Sequence, residues 1–319
     1  MDTSSNQLTN YSALPLLHEF IMNQLSDHTK IAYYKDLEKF YTFLGHGKLD
    51  MVRTNQIIDY KNKLVNEGLS TETINRRLGT VNIYYEFLIK NTSLQRNPCE
   101  GVKLFPRGDF TPTQGLSNEE VVKILSKIDE KGGYFDAKQA KKGGIFDEKG
   151  PKIMHKALLF TLFFTGIRRG ELVKLKCSDL DINSNPPTLT IHGKGFKKRT
   201  VPIHSQLCEV LKTYLKSYRG VYTDDSPLFS TNQTEFKNPI HVNTVYKILE
   251  KYAKQAGITK KISPHSCRVT CISNALENGA NVIQVQHLGG WSSIDMVLRY
   301  DRRRQLLKNS AAFKVDYLK

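Results

Sequence analysis

A segment rich in proline and glycine, NPCEGVKLFPRGDFTPTQG at residues 97–115, divides the chain into two parts. It holds three prolines and three glycines and shows no sustained hydrophobic period. Such a composition favours neither helix nor strand, and it is typical of a connection between domains. A chain of 319 residues is also long for a single hydrophobic core. We therefore predict a first domain over residues 1–100, a linker over 101–115 and a second domain over 116–319.

The first domain is predicted to be a compact helical bundle. In HTKIAYYKDLEKFYTFL, Ile31, Leu37 and Leu44 recur at helical spacing on one side. TNQIIDYKNKLV and STETINRRLGTVNIYYEFLIK show the same apolar period. The second of these segments places Arg76 and Arg77 on the opposite face, so we expect the bundle to present basic outer surfaces.

The second domain is predicted to be mainly α-helical with a small β-hairpin. Ser117 and Glu120 form a capping box before the helix of LSNEEVVKILSKI. The apolar helix IMHKALLFTLFF follows, and PTLTIHGKGFKKRTVPI predicts two short strands around a Gly-Lys-Gly turn. Further helices are expected over 205–218, 242–256, 264–278 and 281–287, and a last helix should carry Tyr300.

The charge balance is strongly basic, with 47 Lys and Arg against 31 Asp and Glu and a net charge of +16. An excess spread along a folded chain is typical of proteins that bind nucleic acid or an anionic membrane. The longest apolar stretch, ALLFTLFF, is far shorter than the roughly 20 residues of a membrane span. The polar N-terminus does not resemble a secretory signal. We therefore expect no membrane partner, and we favour a cytoplasmic protein that binds nucleic acid.

Two other features carry less weight. Five cysteines show no disulfide framework, and His265, Cys267 and Cys271 lack the further ligands that a zinc site requires. KGGYFDAK at 131–138 recurs as KGGIFDEK at 142–149. Two copies are too few for a solenoid, so we interpret the repeat as a loop insertion, with a hairpin that touches DNA as the alternative.

Five motifs of the second domain carry groups that suit a phosphodiester. Arg168 follows a glycine break, and a guanidinium there can hold two phosphate oxygens in a fork. His265 and Arg268 are three residues apart, so they share one side of a helix. Two arginines can stabilise a five-coordinate phosphorus without a metal ion. The motifs are TGIRRGEL (165–172), GKGFKKRTVP (193–202), HSCR (265–268), GGW (289–291) and Tyr300.

The remaining groups complete a cleavage reaction. Lys194, on a flexible glycine turn, can protonate a departing oxygen, although Lys197 and Lys198 lie on the same hairpin. Trp291 offers an indole N–H as a donor. Guanidinium charge close to Tyr300 favours its phenolate, which is a nucleophile.

In this order and spacing the motifs resemble those of the tyrosine recombinases, the phage-integrase, Xer and Cre class of site-specific DNA recombinases. TGIRRGEL is similar to the family signature Thr-Gly-(aliphatic)-Arg-x-x-Glu, which implies Arg168 as a catalytic arginine and Glu171 as an acid that orients the site. The resemblance covers the whole chain: a helical core-binding (SAM-like) domain comes first, and residues 113–319 resemble the catalytic domain. It implies the catalytic set Arg168, Lys194, His265, Arg268, Trp291 and Tyr300, with tryptophan at a position where most integrases have histidine.

The resemblance also implies the reaction and its partners. Tyr300 would form a 3′-phosphotyrosyl link to DNA and release a 5′-hydroxyl, with no metal and no cofactor. A two-domain clamp would hold a double-stranded recombination site, with a dimer at each site, a tetramer in synapsis, and association with the nucleoid. The tail RRRQLLKNSAAFKVDYLK would dock on a neighbouring protomer, or alternatively pack on its own. The residues predicted to bind DNA are Arg76, Arg77, Lys197, Lys198 and Arg199.

Two other functions remain open at this point. A DNA-binding regulator with a degenerate site is disfavoured because the full set of polar groups is present. A type IB topoisomerase uses the same phosphotyrosine chemistry to relax DNA, and the recombinase-like first domain disfavours it.

Overall fold

The computed structural model describes residues 14–24, 26–106, 113–129, 150–193, 197–219, 223–230 and 238–301. The chain divides into two compact units, Met1–Gly108 and Asp109–Lys319. Three predicted features lie outside the described residues, namely the repeat at 131–149, Lys194 and the tail at 302–319. None of the helices within the described ranges has the length and apolar character that a bilayer crossing requires.

The first unit is a helical bundle around an aromatic core. The hydroxyls of Ser26 and Ser70 accept hydrogen bonds from backbone amides three residues ahead, and so cap two of the helices. Large rings fill the centre, where Phe40 packs against Tyr60 and Tyr85 with ring centroids 5.1 and 6.5 Å away. The helices are α1 (Leu17–Met22), α2 (Asp27–Phe43), α3 (Thr54–Asn66) and α4 (Thr71–Asn91), with a 3₁₀ turn at Leu49–Met51.

The bundle buries a carboxylate that the hydrophobic period did not predict. Asp36, on α2, is 3% exposed and accepts hydrogen bonds from Arg76 and from the hydroxyl of Thr80, both on α4. Arg77 Nε lies 3.9 Å from Asp36 Oδ1, and Arg77 is itself buried. The expectation that Arg77 lies on an outer face was therefore wrong, because its charge is paired inside the bundle. The expectation that Ile31 faces the core was also wrong, since this residue is 54% exposed.

The second unit is mostly helical. The helix Gly150–Thr165 packs against the helices Ser205–Tyr214 and Pro264–Glu277. The predicted capping box is confirmed: Ser117 N donates to Glu120 Oε2 and Glu120 N donates to Ser117 Oγ. The helices are α5 (Asn118–Asp129), α6 (Gly150–Thr165), α7 (Arg169–Leu172), α8 (Ser205–Tyr214), α9 (Val242–Gln255), α10 (Pro264–Glu277), α11 (Val282–Gly289) and α12 (Asp295–Leu298), with a 3₁₀ turn at Cys177–Asp179 and a π-helical turn at Leu215–Arg219.

A three-stranded antiparallel sheet accompanies these helices. Its strands are β1 (Leu180–Asp181), β2 (Thr188–His192) and β3 (Lys198–Pro202), in the order β1-β2-β3. The predicted hairpin is β2 and β3, whereas β1 is too short to show a period in the sequence. Leu189 pairs with Val201 and Ile191 pairs with Arg199, so these four side chains share one face of the sheet. Leu189, Ile191 and Val201 are buried, and that face therefore points inward.

The last described segment differs from the prediction. The helix that was expected to carry Tyr300 ends at Leu298, and Tyr300 follows two residues later in a turn. The Tyr300 backbone amide donates to the carbonyl of Val297, which extends the turn to the tyrosine. Val297 and Tyr300 pack into a small apolar cluster with Val269 and Ile272 of α10 and Val285 of α11.

Candidate active site

Helix α10 brings His265 and Arg268 to one place. Ser263 is extended and caps the helix, and Pro264 occupies the first turn, where its missing N–H costs nothing. Residues three apart then lie on the same side of the helix. His265 stays partly exposed near the helix start, whereas Arg268 is 2% exposed.

Two backbone carbonyls hold the buried guanidinium of Arg268. Its Nη1 donates to Gly166 O at 2.6 Å, and its Nη2 donates to Gly289 O at 2.5 Å. Gly166 directly follows α6 and Gly289 ends α11, so both carbonyls carry the partial negative charge of a helix C-terminus. Burial, followed by the nearby charge of Arg168, lowers the pKa of Arg268 to about 10. The group therefore remains a cation at neutral pH.

Glycine is required at both of these turns. Gly166 has φ +57°, and a Cβ there would lie 3.3 Å from Cys271 Sγ and 3.8 Å from Arg268 Cγ. A Cβ on Gly289 would lie 2.2 Å from the ring of Trp291. Each glycine thus lets a neighbouring side chain approach the backbone closely.

The short helix α7 presents a second arginine. Arg168 precedes the helix, and its backbone N–H donates to Glu171 Oε2 at 3.1 Å. Its Nη1 donates to Glu171 Oε1 at 2.8 Å, while the side chain remains 43% exposed. Arg199 also donates to Glu171, with 2.8 Å between Nη2 and Oε2 and 3.2 Å between Nη1 and Oε1. One buried carboxylate therefore serves two guanidinium groups.

The charge state of Glu171 follows from these contacts. Burial raises its pKa, but the hydrogen bonds and charge of Arg199, together with the bonds from Arg168, outweigh burial and lower the pKa below the ordinary value of a glutamate. Glu171 is thus an anion at neutral pH, which fixes the orientation of both arginines.

Tyr300 lies beside the cations. It is 5% exposed, its ring centroid is 5.0 Å from that of Trp291, and its ring meets His265 in a T-shaped arrangement at 6.4 Å. The Trp291 ring in turn lies over the Arg268 guanidinium, with 4.4 Å between Cζ and the ring centroid. A continuous set of contacts thus joins His265, Tyr300, Trp291 and Arg268.

The surroundings of His265 also change its pKa. Partial burial, followed by the positive charges of Arg268 and Arg168, lowers the pKa of His265 below its usual value. The imidazole is therefore neutral at pH 7, and it can accept a proton or donate a hydrogen bond. Two fixed cations, a neutral imidazole, an indole and a phenol at one place can bind a tetrahedral anion and attack it.

Family models match both units of the chain. The model of the phage integrase family matches residues 134–305, and that of the phage integrase N-terminal SAM-like domain matches residues 17–92. The chain belongs to the phage integrase family. The family that the motifs predicted is confirmed.

Relatives and solved structures of this family agree with the assignment. The chain is 29% identical over 283 residues to the tyrosine recombinase XerC of Thermodesulfovibrio yellowstonii, covering 86% of this chain and 85% of that protein. The fold is similar to that of the Tn1549 transposon integrase in complex with circular intermediate DNA, with a TM-score of 0.69, 20% identity, and 94% and 98% of the two chains covered. It is also similar to that of a lambda integrase tetramer bound to a Holliday junction, with a TM-score of 0.68, 17% identity, and 97% and 83% covered. The predicted fold, mainly α with a small sheet, is confirmed.

The hairpin of this integrase-family chain begins at the site. The Gly193 amide donates to Lys197 O at 2.7 Å, and a Cβ on Gly193 would lie 3.9 Å from Glu171 Oε1. At the end of β2, His192 Nε2 lies 2.6 Å from Asp179 Oδ1. The turn that contains Lys194 therefore starts beside Glu171, although Lys194 is itself outside the described residues.

The residues that were predicted to bind DNA lie in different settings. Lys197 and Lys198 are exposed on the hairpin, and Arg76 is half-exposed while paired with Asp36. The guanidinium of Arg199 is instead buried, with its side chain 8% exposed, and is committed to Glu171. The alternation of side chains along a strand could have predicted the burial of Arg199, because Arg199 and the buried Val201 are two residues apart and so share a face.

Proposed function

We propose that this chain is a site-specific DNA recombinase that cleaves and rejoins DNA through a covalent bond between Tyr300 and a 3′-phosphate. The observation that carries the proposal is the set of contacts from Arg268 to Trp291, from Trp291 to Tyr300, and from Tyr300 to His265. These residues come from three motifs that are separate in the sequence.

Arg168 and Arg268 bind the non-bridging oxygens of the scissile phosphate. Arg268 is fixed by two carbonyls, and Arg168 is held by Glu171 while its side chain stays partly open to solvent. A guanidinium that is oriented before the substrate arrives stabilises the five-coordinate phosphorus without reorganisation. The Trp291 indole N–H and His265 supply further hydrogen bonds to the phosphate.

Tyr300 is the nucleophile. Its oxygen attacks phosphorus as the bond from phosphorus to the 5′-oxygen breaks, and the neutral His265 is available to take the phenolic proton. Lys194 gives a proton to the departing 5′-oxygen, which leaves as a hydroxyl. A partner strand's 5′-hydroxyl then attacks the phosphotyrosine and restores the tyrosine. Because Tyr300 is buried among side chains of its own subunit, the geometry supports cleavage in cis.

The assembly follows from the reaction, because strand exchange needs two sites and four nucleophiles. We propose a dimer at each double-stranded site and a tetramer in synapsis, with the tail at 302–319 docked on a neighbouring protomer. Lys197, Lys198 and Arg76 would bind DNA phosphates, so affinity should fall steeply with salt. This function would associate the protein with the nucleoid in the cytoplasm.

Covalent capture tests the function without knowledge of the target site. Wild-type protein is incubated with a duplex DNA library that has a random central region and random nicks, so that a short 5′-hydroxyl fragment can be lost. After denaturation, strands linked to protein are recovered and sequenced. We expect adducts at the 3′ ends of one enriched sequence, and none with Tyr300→Phe. Tyr33→Phe, in the first unit, is the matched control and should form adducts like the wild type.

The same material separates the alternative functions. Sequence-selective binding without any adduct would support a regulator and contradict the proposal. With two copies of the selected site on a supercoiled plasmid, we expect recombinant circles. Relaxed circles without recombinants would instead indicate a topoisomerase.

A further inference from the structure

We propose that Arg199 is a positioning residue that neutralises Glu171 and thereby leaves the charge of Arg168 available to the scissile phosphate. The inference rests on the function proposed above and deepens it. It replaces the expectation that Arg199 contacts DNA directly.

Arg199 is directed into the second unit by its position on β3. It pairs with Ile191 across the hairpin and points toward the interior of the second unit. Its side chain is 8% exposed, as is that of Glu171. A buried guanidinium that meets a buried carboxylate through two hydrogen bonds cannot reach a phosphate on the surface without leaving that carboxylate uncompensated.

Arg168, Glu171 and Arg199 form one charged group. Glu171 Oε1 accepts from both arginines, at 2.8 Å from Arg168 Nη1 and 3.2 Å from Arg199 Nη1. Two cations on one anion leave one net positive charge, and Arg168 is the member that can present it to a phosphate, because its side chain is 43% exposed and that of Arg199 is 8% exposed. Without Arg199, the buried carboxylate would have Arg168 as its remaining guanidinium partner, and the pair would be neutral toward a phosphate.

Arg199 also contacts the end of α11 and the turn before Trp291. Its Nε donates to Leu288 O at 3.2 Å. A Cβ on Gly290, which has φ +62°, would lie 2.8 to 3.0 Å from the side chain of Arg199. One guanidinium thus links β3, the carboxylate behind Arg168, and the turn that carries Trp291. A lysine in its place would keep the charge but would lose the fork that makes these bonds together.

The test is a double-mutant cycle on the DNA sequence selected by covalent capture. The variants are Arg199→Met, Glu171→Gln, the double variant and Arg199→Lys, with Thr200→Val as the exposed control on the same strand. Three quantities are measured for each: the single-turnover rate of adduct formation at saturating protein, the Kd for the DNA, and the midpoint of thermal unfolding.

Arg199→Met should slow adduct formation roughly 100-fold, while the Kd changes by less than about threefold. Adding Glu171→Gln to this variant should restore the rate by about tenfold or more, because the neutral amide no longer holds the charge of Arg168. Arg199→Lys should be intermediate, and Thr200→Val should match the wild type. A residue that only supports the fold would instead lower the midpoint of thermal unfolding in parallel with the rate, and the double variant would recover both together.

A double variant that is as slow as Arg199→Met, or a Kd that rises in parallel with the loss of rate, would overturn the inference. If Arg199→Met does not fold, the polar but uncharged variant Arg199→Gln, with and without Glu171→Gln, gives the same comparison. Failure of the proposed function looks different, because the wild type itself would then form no adduct. If the wild type and Arg199→Met both form adducts at similar rates, the role of Arg199 is refuted while the proposed function stands.

Discussion

The ring of Trp291 lies over the guanidinium of Arg268, with 4.4 Å between Cζ and the ring centroid. The same ring contacts the phenol of Tyr300 at 5.0 Å. Trp291 therefore contacts both the buried cation and the proposed nucleophile. The aromatic face stabilises the cation without a further carboxylate. A carboxylate in that place would repel a phosphate.

Substitutions of Trp291 should distinguish its ring from its indole N–H. Trp291→Phe keeps a ring over Arg268 but loses the donor, and we expect adduct formation to slow about tenfold. Trp291→Ala removes both, and we expect a loss of roughly 100-fold. Single-turnover cleavage of the selected DNA measures both values. Equal rates for the two variants would mean that the ring contributes nothing beyond its donor.

Gly166→Ala should destabilise the protein and impair cleavage. The positive φ costs about 1–2 kcal/mol for alanine, and the contact with Cys271 raises the total loss in free energy of unfolding to about 2–3 kcal/mol. Gly257→Ala is the matched control, since Gly257 has φ +72° with nothing within 4 Å of an added Cβ. Urea unfolding of both variants separates backbone strain from crowding. Of these two variants, only Gly166→Ala should slow adduct formation, because Gly166 O accepts a hydrogen bond from Arg268.

Acid should destabilise the protein through His155. Burial, with a smaller effect of Lys251, lowers the pKa of His155 to about 3, and its Nδ1 lies 3.0 Å from the Tyr252 hydroxyl. Because the folded pKa is below the unfolded one, the unfolded chain takes up the proton first as pH falls. Stability should therefore decline as pH falls from about 6.5 towards 3, by on the order of 3 kcal/mol at pH 4.

Chemical unfolding at a series of pH values tests this prediction. His155→Phe should show a flatter dependence than the wild type over the same range. The exposed His28, substituted as His28→Gln, is the control and should leave the slope unchanged. A His155→Phe variant that keeps the full acid slope would assign the loss of stability to other groups.

Asp36→Asn should destabilise the first unit. The neutral amide cannot compensate the buried charge of Arg77, and it loses the ion pair with Arg76. We therefore expect a loss of about 3 kcal/mol in free energy of unfolding. Asp27→Asn is the comparison, because Asp27 is 92% exposed in its pair with Lys30 and should change stability by less than about 0.5 kcal/mol. Similar effects of the two changes would contradict the role of burial.

The sequence predicted the elements of the fold whose causes are local. Ser117, Glu120 and Pro264 predicted helix starts, and Gly257 predicted a helix end, because caps and turns depend on residues a few positions apart. The order of the motifs predicted the family and the residues that make up the candidate site. The two-residue strand β1 was missed because so short a segment carries no period.

Burial of charge could not be predicted in the same way. Arg77 and Arg199 read as surface cations, yet each points inward to a carboxylate that is distant in the sequence, Asp36 and Glu171. Helical spacing alone gives no information about such pairs, since the period assigns charged residues outward by default. The position of Arg199 on the same strand face as Val201 indicated that it is buried. The basic composition of the hairpin favoured an exposed, DNA-binding residue instead.

The orientation of Arg268 depends on peptide oxygens that every residue type supplies. No particular neighbouring side chain has to be inherited to aim this cation, provided that the two bends at residues 166 and 289 keep their shape. We therefore expect substitutions of other nearby side chains to leave the direction of this guanidinium unchanged as long as both bends remain glycine. A change of DNA-contacting residues elsewhere in the chain would then leave the central charge of the site where it is.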